Sequence, residues 1–150
     1  MKIAIGSDHR GFEHKSLIIQ KINTISWIDV GCFSAERCDY PVFAKLIVNK
    51  IIKKEADLGI LLCGSGIGMA ITANRFAGIY AGLCWNSKVA RAAKEDDNIN
   101  ILVLPSDYIS HQESLEIINT WLNTQFKGGR YQARLDMIDN LIKKPPVSGG

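Results

Sequence analysis

The run Leu58-Gly59-Ile60-Leu61-Leu62-Cys63-Gly64-Ser65-Gly66-Ile67-Gly68 limits what this chain can become. Ile60 to Leu62 is a short apolar segment of the kind that forms a buried strand. Glycines alternate at 64, 66 and 68, and Met69 to Arg75 has helical composition. The order is therefore strand, tight turn, helix. A turn free of Cβ atoms can direct several backbone N–H groups into one small space, and a helix N-terminus adds partial positive charge there. Such a turn suits an anion or a developing oxyanion. Cys63 stands between strand and turn, where a thiol is expected to ionise more readily than usual. A base beside an oxyanion hole is what removal of a proton next to a carbonyl requires. Two plainer readings compete: a buried core cysteine, and glycines that serve only tight packing. Two known motifs fail. G-x-G-x-x-G would need Gly at Met69 and belongs after the first strand, and G-x-S-x-G around Ser65 would need Gly at Cys63.

The rest of the chain repeats the strand–helix alternation. Strand-like segments fall near 2–5, 25–30, 78–84 and 101–104. Helical patterns cover 12–22, 39–54, 87–95, 110–126 and, after Gly128-Gly129, 130–143. Short apolar strands alternating with helices predict an α/β fold with a five-stranded parallel sheet covered on both faces. In such sheets ligands bind beyond the carboxyl ends of the strands. That edge should carry 7–10, 31–40, 63–68, 85–86 and 105–107. With 150 residues, 47% of them hydrophobic, one domain over 1–144 is expected, followed by a loose tail at 145–150. The net charge of +3 is small and scattered, which argues against nucleic acid. No apolar run is long enough for a membrane span, and the N-terminus opens directly into a strand, so neither membrane nor leader is expected. The four cysteines form no C-x-x-C pair. They read as reduced cytoplasmic thiols, and a structural zinc is not expected.

Three further places carry chemistry. Asp8-His9 follows the first strand and should share an edge with Cys63. It is either a helix cap with a solvated histidine or a polar pair for sugar hydroxyls and ring-opening proton transfer. Tyr40, before Pro41, either packs or offers its hydroxyl to a ligand. Arg130 and Arg134 lie four apart on one helical face. They are either a solvated face or a phosphate clamp, for which the guanidinium fork is suited.

Taken together, Ser7-Asp8-His9-x-Gly11-Phe12, Asp39-Tyr40-Pro41, Gly59 to Gly68, Ala73-Asn74-Arg75 and Gly128-Gly129-Arg130-x-x-x-Arg134 resemble the ribose-5-phosphate isomerase B family, which includes galactose-6-phosphate isomerase subunits. The resemblance runs from Lys2 to about Lys143. It implies a Rossmann-like three-layer sandwich and a homodimer or tetramer whose last helix reaches a partner subunit. It implies interconversion of ribose 5-phosphate and ribulose 5-phosphate through an enediolate, as in the pentose phosphate pathway, without metal or organic cofactor. By position, Cys63 matches the base, Ser65 the hydroxyl-proton shuttle, and Gly64, Ser65, Gly66, Ile67 and Gly68 the loop that holds the enediolate. Asp8, His9, Tyr40 and Asn100 match substrate-binding positions. Arg130 and Arg134 match phosphate-binding arginines given by the partner.

The chain also departs from the family pattern. Asp96 stands where many members have the ring-opening histidine, Asp107 where an arginine is common, and Tyr80 where an arginine is usual. Arg10 occupies a position that is commonly small and apolar. It could return positive charge to the phosphate. With no histidine at 96, His9 is the expected ring opener. Two alternative functions follow: a hexose-6-phosphate isomerase acting on allose or galactose 6-phosphate, and a non-catalytic sugar-phosphate sensor. The failed fingerprint argues against a nucleotide-binding module.

Overall fold

The computed structural model describes residues 1–143, so the expected tail at 145–150 lies outside the described residues. The chain order is β1 (Lys2–Ser7), α1 (Phe12–Lys21), β2 (Ser26–Gly31), α2 (Tyr40–Ile52), β3 (Leu58–Cys63), α3 (Ile67–Ala73), β4 (Ala81–Leu83), α4 (Ser87–Asp97), β5 (Ile101–Pro105), α5 (His111–Leu122) and α6 (Arg130–Lys143). The sheet has the order β2-β1-β3-β5-β4, and every pairing is parallel.

Successive side chains along a strand point to opposite faces, and the core divides accordingly. Ile3, Ile5, Ile60, Leu62, Leu102 and Leu104 face one side, where Ile18 of α1, Ala90 of α4 and Ile117, Ile118 and Trp121 of α5 cover them. Ala4, Leu61, Cys63, Ile101 and Val103 face the other, under Ala44, Ile47 and Val48 of α2 and Met69 and Ala73 of α3. Burial on both faces is why β3 and β5 read as unbroken apolar runs. This is the expected three-layer sandwich.

The topology also fixes where a ligand can sit. From β1 the chain goes out to β2, then returns to the other side of β1 as β3. The crevice at the carboxyl ends opens at that reversal. Ser7 is level with Leu62, and Cys63 with Pro105, so the loops after β1, β3 and β5 emerge side by side.

Several element boundaries differ from the sequence expectation, and three of them have a visible local cause. β4 is only Ala81–Leu83, not 78–84, because Gly78 takes φ +82° and the Asn100 carboxamide ties down the Gly78 carbonyl and the Tyr80 N–H. α3 starts at Ile67, two residues early, behind a left-handed Gly66. α5 is capped by Ser110, whose hydroxyl accepts from the Glu113 N–H, and stops at Leu122 rather than 126. Beyond it, Asn123 and Thr124 turn their side chains back onto Asn119 and Thr120.

Candidate active site

Cys63 ends β3 and is 4% exposed. Gly66 has φ +76°, a conformation that favours glycine, and this turns its N–H back onto the Cys63 sulfur at 3.1 Å. The N–H groups of Met69 and Ser65 also favour the thiolate. Burial nevertheless outweighs them and pushes the Cys63 thiol up, helped by the negative charge of Asp8. The expected lowering is therefore corrected: the backbone of the turn favours the thiolate, but desolvation of a thiol this deep is the larger effect. Ser65 lies one step further along, and its hydroxyl accepts the Ile67 N–H at 3.2 Å. Two N–H groups of the turn, those of Gly66 and Ile67, thus point at its own side chains.

Asp8 is buried, and its Oδ1 accepts the N–H groups of Arg10 and Gly11 at 3.0 and 3.2 Å. It builds the turn after β1 rather than capping α1, whose N-cap is Gly11. Gly11 is required there, since a Cβ would come within 2.7–3.0 Å of the Leu62 backbone and Cβ. Tyr40 opens α2 and lays its ring over Gly68, where a Cβ would meet the ring at 2.5–2.9 Å. These groups frame one cleft of about 360 Å³, lined by Asp8, Arg10, Tyr40 and Cys63, by the turn residues Gly64, Ser65, Ile67 and Gly68, and by Ile71. Gly66 sits behind the lining, buried beneath Leu83.

His9 is half-buried beside this cleft but not in its lining. Its Nδ1 accepts the Cys38 N–H at 3.3 Å, so a neutral ring carries its proton on Nε2. Ile71 was not legible as a site residue. It follows Ile67 by one helical turn, and the two stand 55% and 54% exposed, an apolar lip on the cleft.

Three expected site residues are not brought to this cleft by their own chain. Asn100 precedes β5, at the amino end of the sheet, and its carboxamide is engaged with the Tyr80 N–H and the Gly78 carbonyl. Within one chain Asn100 stands away from this cleft, because strand direction carries it to the opposite edge. Arg130 and Arg134 lie exposed on α6, with guanidinium carbons 5.2 and 5.3 Å from the Tyr131 ring centre. That helix is held at the same far edge. The Tyr80 hydroxyl donates to both Asp139 carboxylate oxygens at 2.7 and 2.8 Å, and burial with this bond pushes Tyr80 up to about 12. Asp96 sits there as well, 3.4 Å from Lys127 Nζ. Among the described residues, no group of three or more His, Cys, Asp or Glu side chains could hold a metal, and no helix is long and apolar enough to cross a membrane.

The sequence pattern described as Ribose/Galactose Isomerase matches residues 3–138. A putative sugar phosphate isomerase of Rickettsia bellii is 44% identical over 139 residues, covering 91% of this chain and 96% of that protein. The crystal structure of a ribose 5-phosphate isomerase from Thermotoga maritima is 46% identical with a TM-score of 0.91, covering 93% of this chain and 98% of that one. The Mycoplasma genitalium ribose-5-phosphate isomerase B, solved with bound ribulose-5-phosphate, is 36% identical with a TM-score of 0.91, covering 96% and 97%.

Proposed function

Since this chain belongs to the ribose/galactose isomerase family, we propose that it interconverts ribose 5-phosphate and ribulose 5-phosphate and that Cys63 moves the proton. The observation that carries this reading is the Cys63 sulfur held against the Gly66 N–H at the floor of the cleft. The Cys63 thiolate takes the proton from C2 of the open-chain aldose. The resulting enediolate is stabilised by the N–H groups of the turn, and the proton returns at C1. Ser65, one step from Cys63, passes the hydroxyl proton between O1 and O2. Once Cys63 has taken the proton its sulfur is neutral, and the turn N–H groups that favoured the thiolate favour the enediolate oxygens instead.

Ring opening falls to His9. The Cys38 N–H on its Nδ1 leaves Nε2 as the proton-bearing nitrogen, as donation to a ring oxygen requires. Asp96 is paired with Lys127 Nζ, and a carboxylate in an ion pair accepts rather than donates, which supports His9 over it.

A homodimer with shared sites completes the reading. Arg130, Arg134, Met137 and Leu141 recur at helical spacing on one exposed face of α6, and Met137 and Leu141 are 68% and 75% exposed. The Ile67–Ile71 lip of a second copy is an apolar counterpart. A two-fold pairing of α6 with that lip buries both patches and brings Arg130 and Arg134 to the partner's cleft, as phosphate ligands. The free cysteines support a cytoplasmic setting. The single domain 1–144 needs no metal or organic group in this scheme. Ketose formation from ribose 5-phosphate, allose 6-phosphate and galactose 6-phosphate is the test. The pentose should give the highest kcat/KM. A hexose preference would shift the reading to a hexose-6-phosphate isomerase, and no turnover of any would leave a sugar-phosphate sensor.

A further inference from the structure

Arg10 is the only cation among the described residues that line the Cys63 cleft. Its N–H is tied to Asp8, which fixes its backbone at the cleft mouth. Its guanidinium lies over Gly64, where a Cβ would come 2.5–2.8 Å from Cζ, Nε and Nη1. The same guanidinium pairs with the carboxylate of Asp107, and the Asp107 N–H donates to the Gly64 carbonyl at 3.0 Å. One guanidinium thus joins the loops after β1, β3 and β5. Asp107 itself is not among the residues that line the cleft.

We propose that Arg10 is a specificity-determining phosphate ligand supplied by this chain to its own cleft, and that Asp107 occupies the guanidinium until a sugar phosphate arrives. This rests on the sugar-phosphate reading above. The two side chains are 57% and 32% exposed, and a carboxylate–guanidinium pair so open to water contributes little. A phosphate dianion offers the same fork more charge and two parallel acceptors, so exchange of the carboxylate for the phosphate is favourable. Depth assigns the partner. Proton transfer belongs at Cys63, which is 4% exposed. The permanent charge of a phosphate stays nearest water, at the mouth, where Arg10 stands.

Calorimetric titration with inorganic phosphate tests the proposal without turnover. Arg10→Ala should weaken phosphate binding by about 10- to 100-fold, and Arg10→Lys should fall between, keeping charge but not the fork. Asp107→Asn should tighten it by about two- to fivefold, because the competing charge is gone. In steady state, Arg10→Ala should raise KM for ribose 5-phosphate by a similar factor, with kcat within about threefold of the parent. The proposal is overturned if the unaltered protein binds no phosphate, if Arg10→Ala binds it within about twofold of the parent, or if kcat falls while KM holds. Asp107→Asn weakening phosphate as much as Arg10→Ala would overturn the exchange. An unaltered protein that turns over no sugar phosphate defeats the isomerase reading instead, while the phosphate titration still decides Arg10.

Discussion

The two edges of the sheet make different demands on the sequence. At the carboxyl edge, one chain gathers Cys63, Ser65, Asp8, Tyr40 and Arg10 around one cleft, the proposed proton-transfer site. At the amino edge, Asn100, Asp96, Arg130 and Arg134 are engaged locally or face solvent, and none approaches Cys63. The carboxyl edge gets its geometry from β1, β3 and β5 emerging together. In the proposed dimer, the amino edge would take part in catalysis only through a second copy. On the proposed reading, chemistry of the reacting carbons is a property of the fold, and grip on the phosphate is shared between fold and assembly.

The largest effect should come from the carboxyl edge. Cys63→Ala should lower kcat for ribose 5-phosphate by roughly 10²–10⁴-fold while phosphate binding changes by only a few-fold, since the substitution removes the base alone. An intact rate would place the proton transfer elsewhere.

The next effect joins the two edges. Arg134→Ala should cost about 10- to 100-fold in kcat/KM through the lost charge-assisted bonds. Mixed in equal amounts with Cys63→Ala after subunit exchange, it should recover about a quarter of the parent activity, because half the dimers are hybrids with one intact site of two. With exchange verified, absence of recovery would mean that each site is built by one chain.

His9→Asn sharpens the division within the carboxyl edge. It should depress turnover of ribose 5-phosphate about tenfold more than turnover of ribulose 5-phosphate, which is already acyclic. Equal losses in both directions would reduce His9 to general binding, and a severe aldose-selective loss in Asp96→Asn would transfer ring opening to the far edge.

The pH profile follows from the burial of Cys63. The thiolate is the reactive form and burial raises its pKa, so kcat/KM should keep rising with pH beyond the ordinary thiol range near ~8.5. A plateau well below that range would show a thiol more acidic than this cleft allows. The sign for stability is opposite. A folded-state pKa above the unfolded one gives stability that is full below the unfolded value and is lost as pH climbs through the folded value. Cys84, pushed up to about 12 by burial, adds to the same alkaline loss.

The smallest effect on turnover belongs to the amino edge. Asn100→Ala removes both carboxamide bonds to the Gly78–Tyr80 turn and should cost about 1–3 kcal/mol in denaturant unfolding, with KM nearly unchanged. A large rise in KM with stability intact would restore Asn100 as a substrate ligand, reached from a partner.

What could be read in the sequence was what is contiguous. The strand–glycine–helix run placed Cys63 because strand end, turn and helix start follow one another over Leu58–Ala73. Apolar strand runs identified the parallel sheet because both faces are covered. The Arg10–Asp107 pair could not be read, since it depends on β5 lying beside β3 and on β4 lying outside β5. The direction of the Cys63 shift was misread because composition reports the turn but not the depth of burial. The position of Asn100 at the amino edge could not be read, because a motif match gives a position in the chain without saying which end of its strand it marks.

The central claim is that Cys63 is the base at the carboxyl edge. Hydrogen exchange at the reacting carbons tests it most directly. Ribulose 5-phosphate is incubated in D2O with the unaltered protein or with Cys63→Ala, and deuterium at C1 of the ketose and C2 of the aldose is followed by NMR. The account predicts enzyme-dependent deuterium incorporation by the unaltered protein and none above the protein-free rate with Cys63→Ala. Exchange by Cys63→Ala at the rate of the unaltered protein would contradict it.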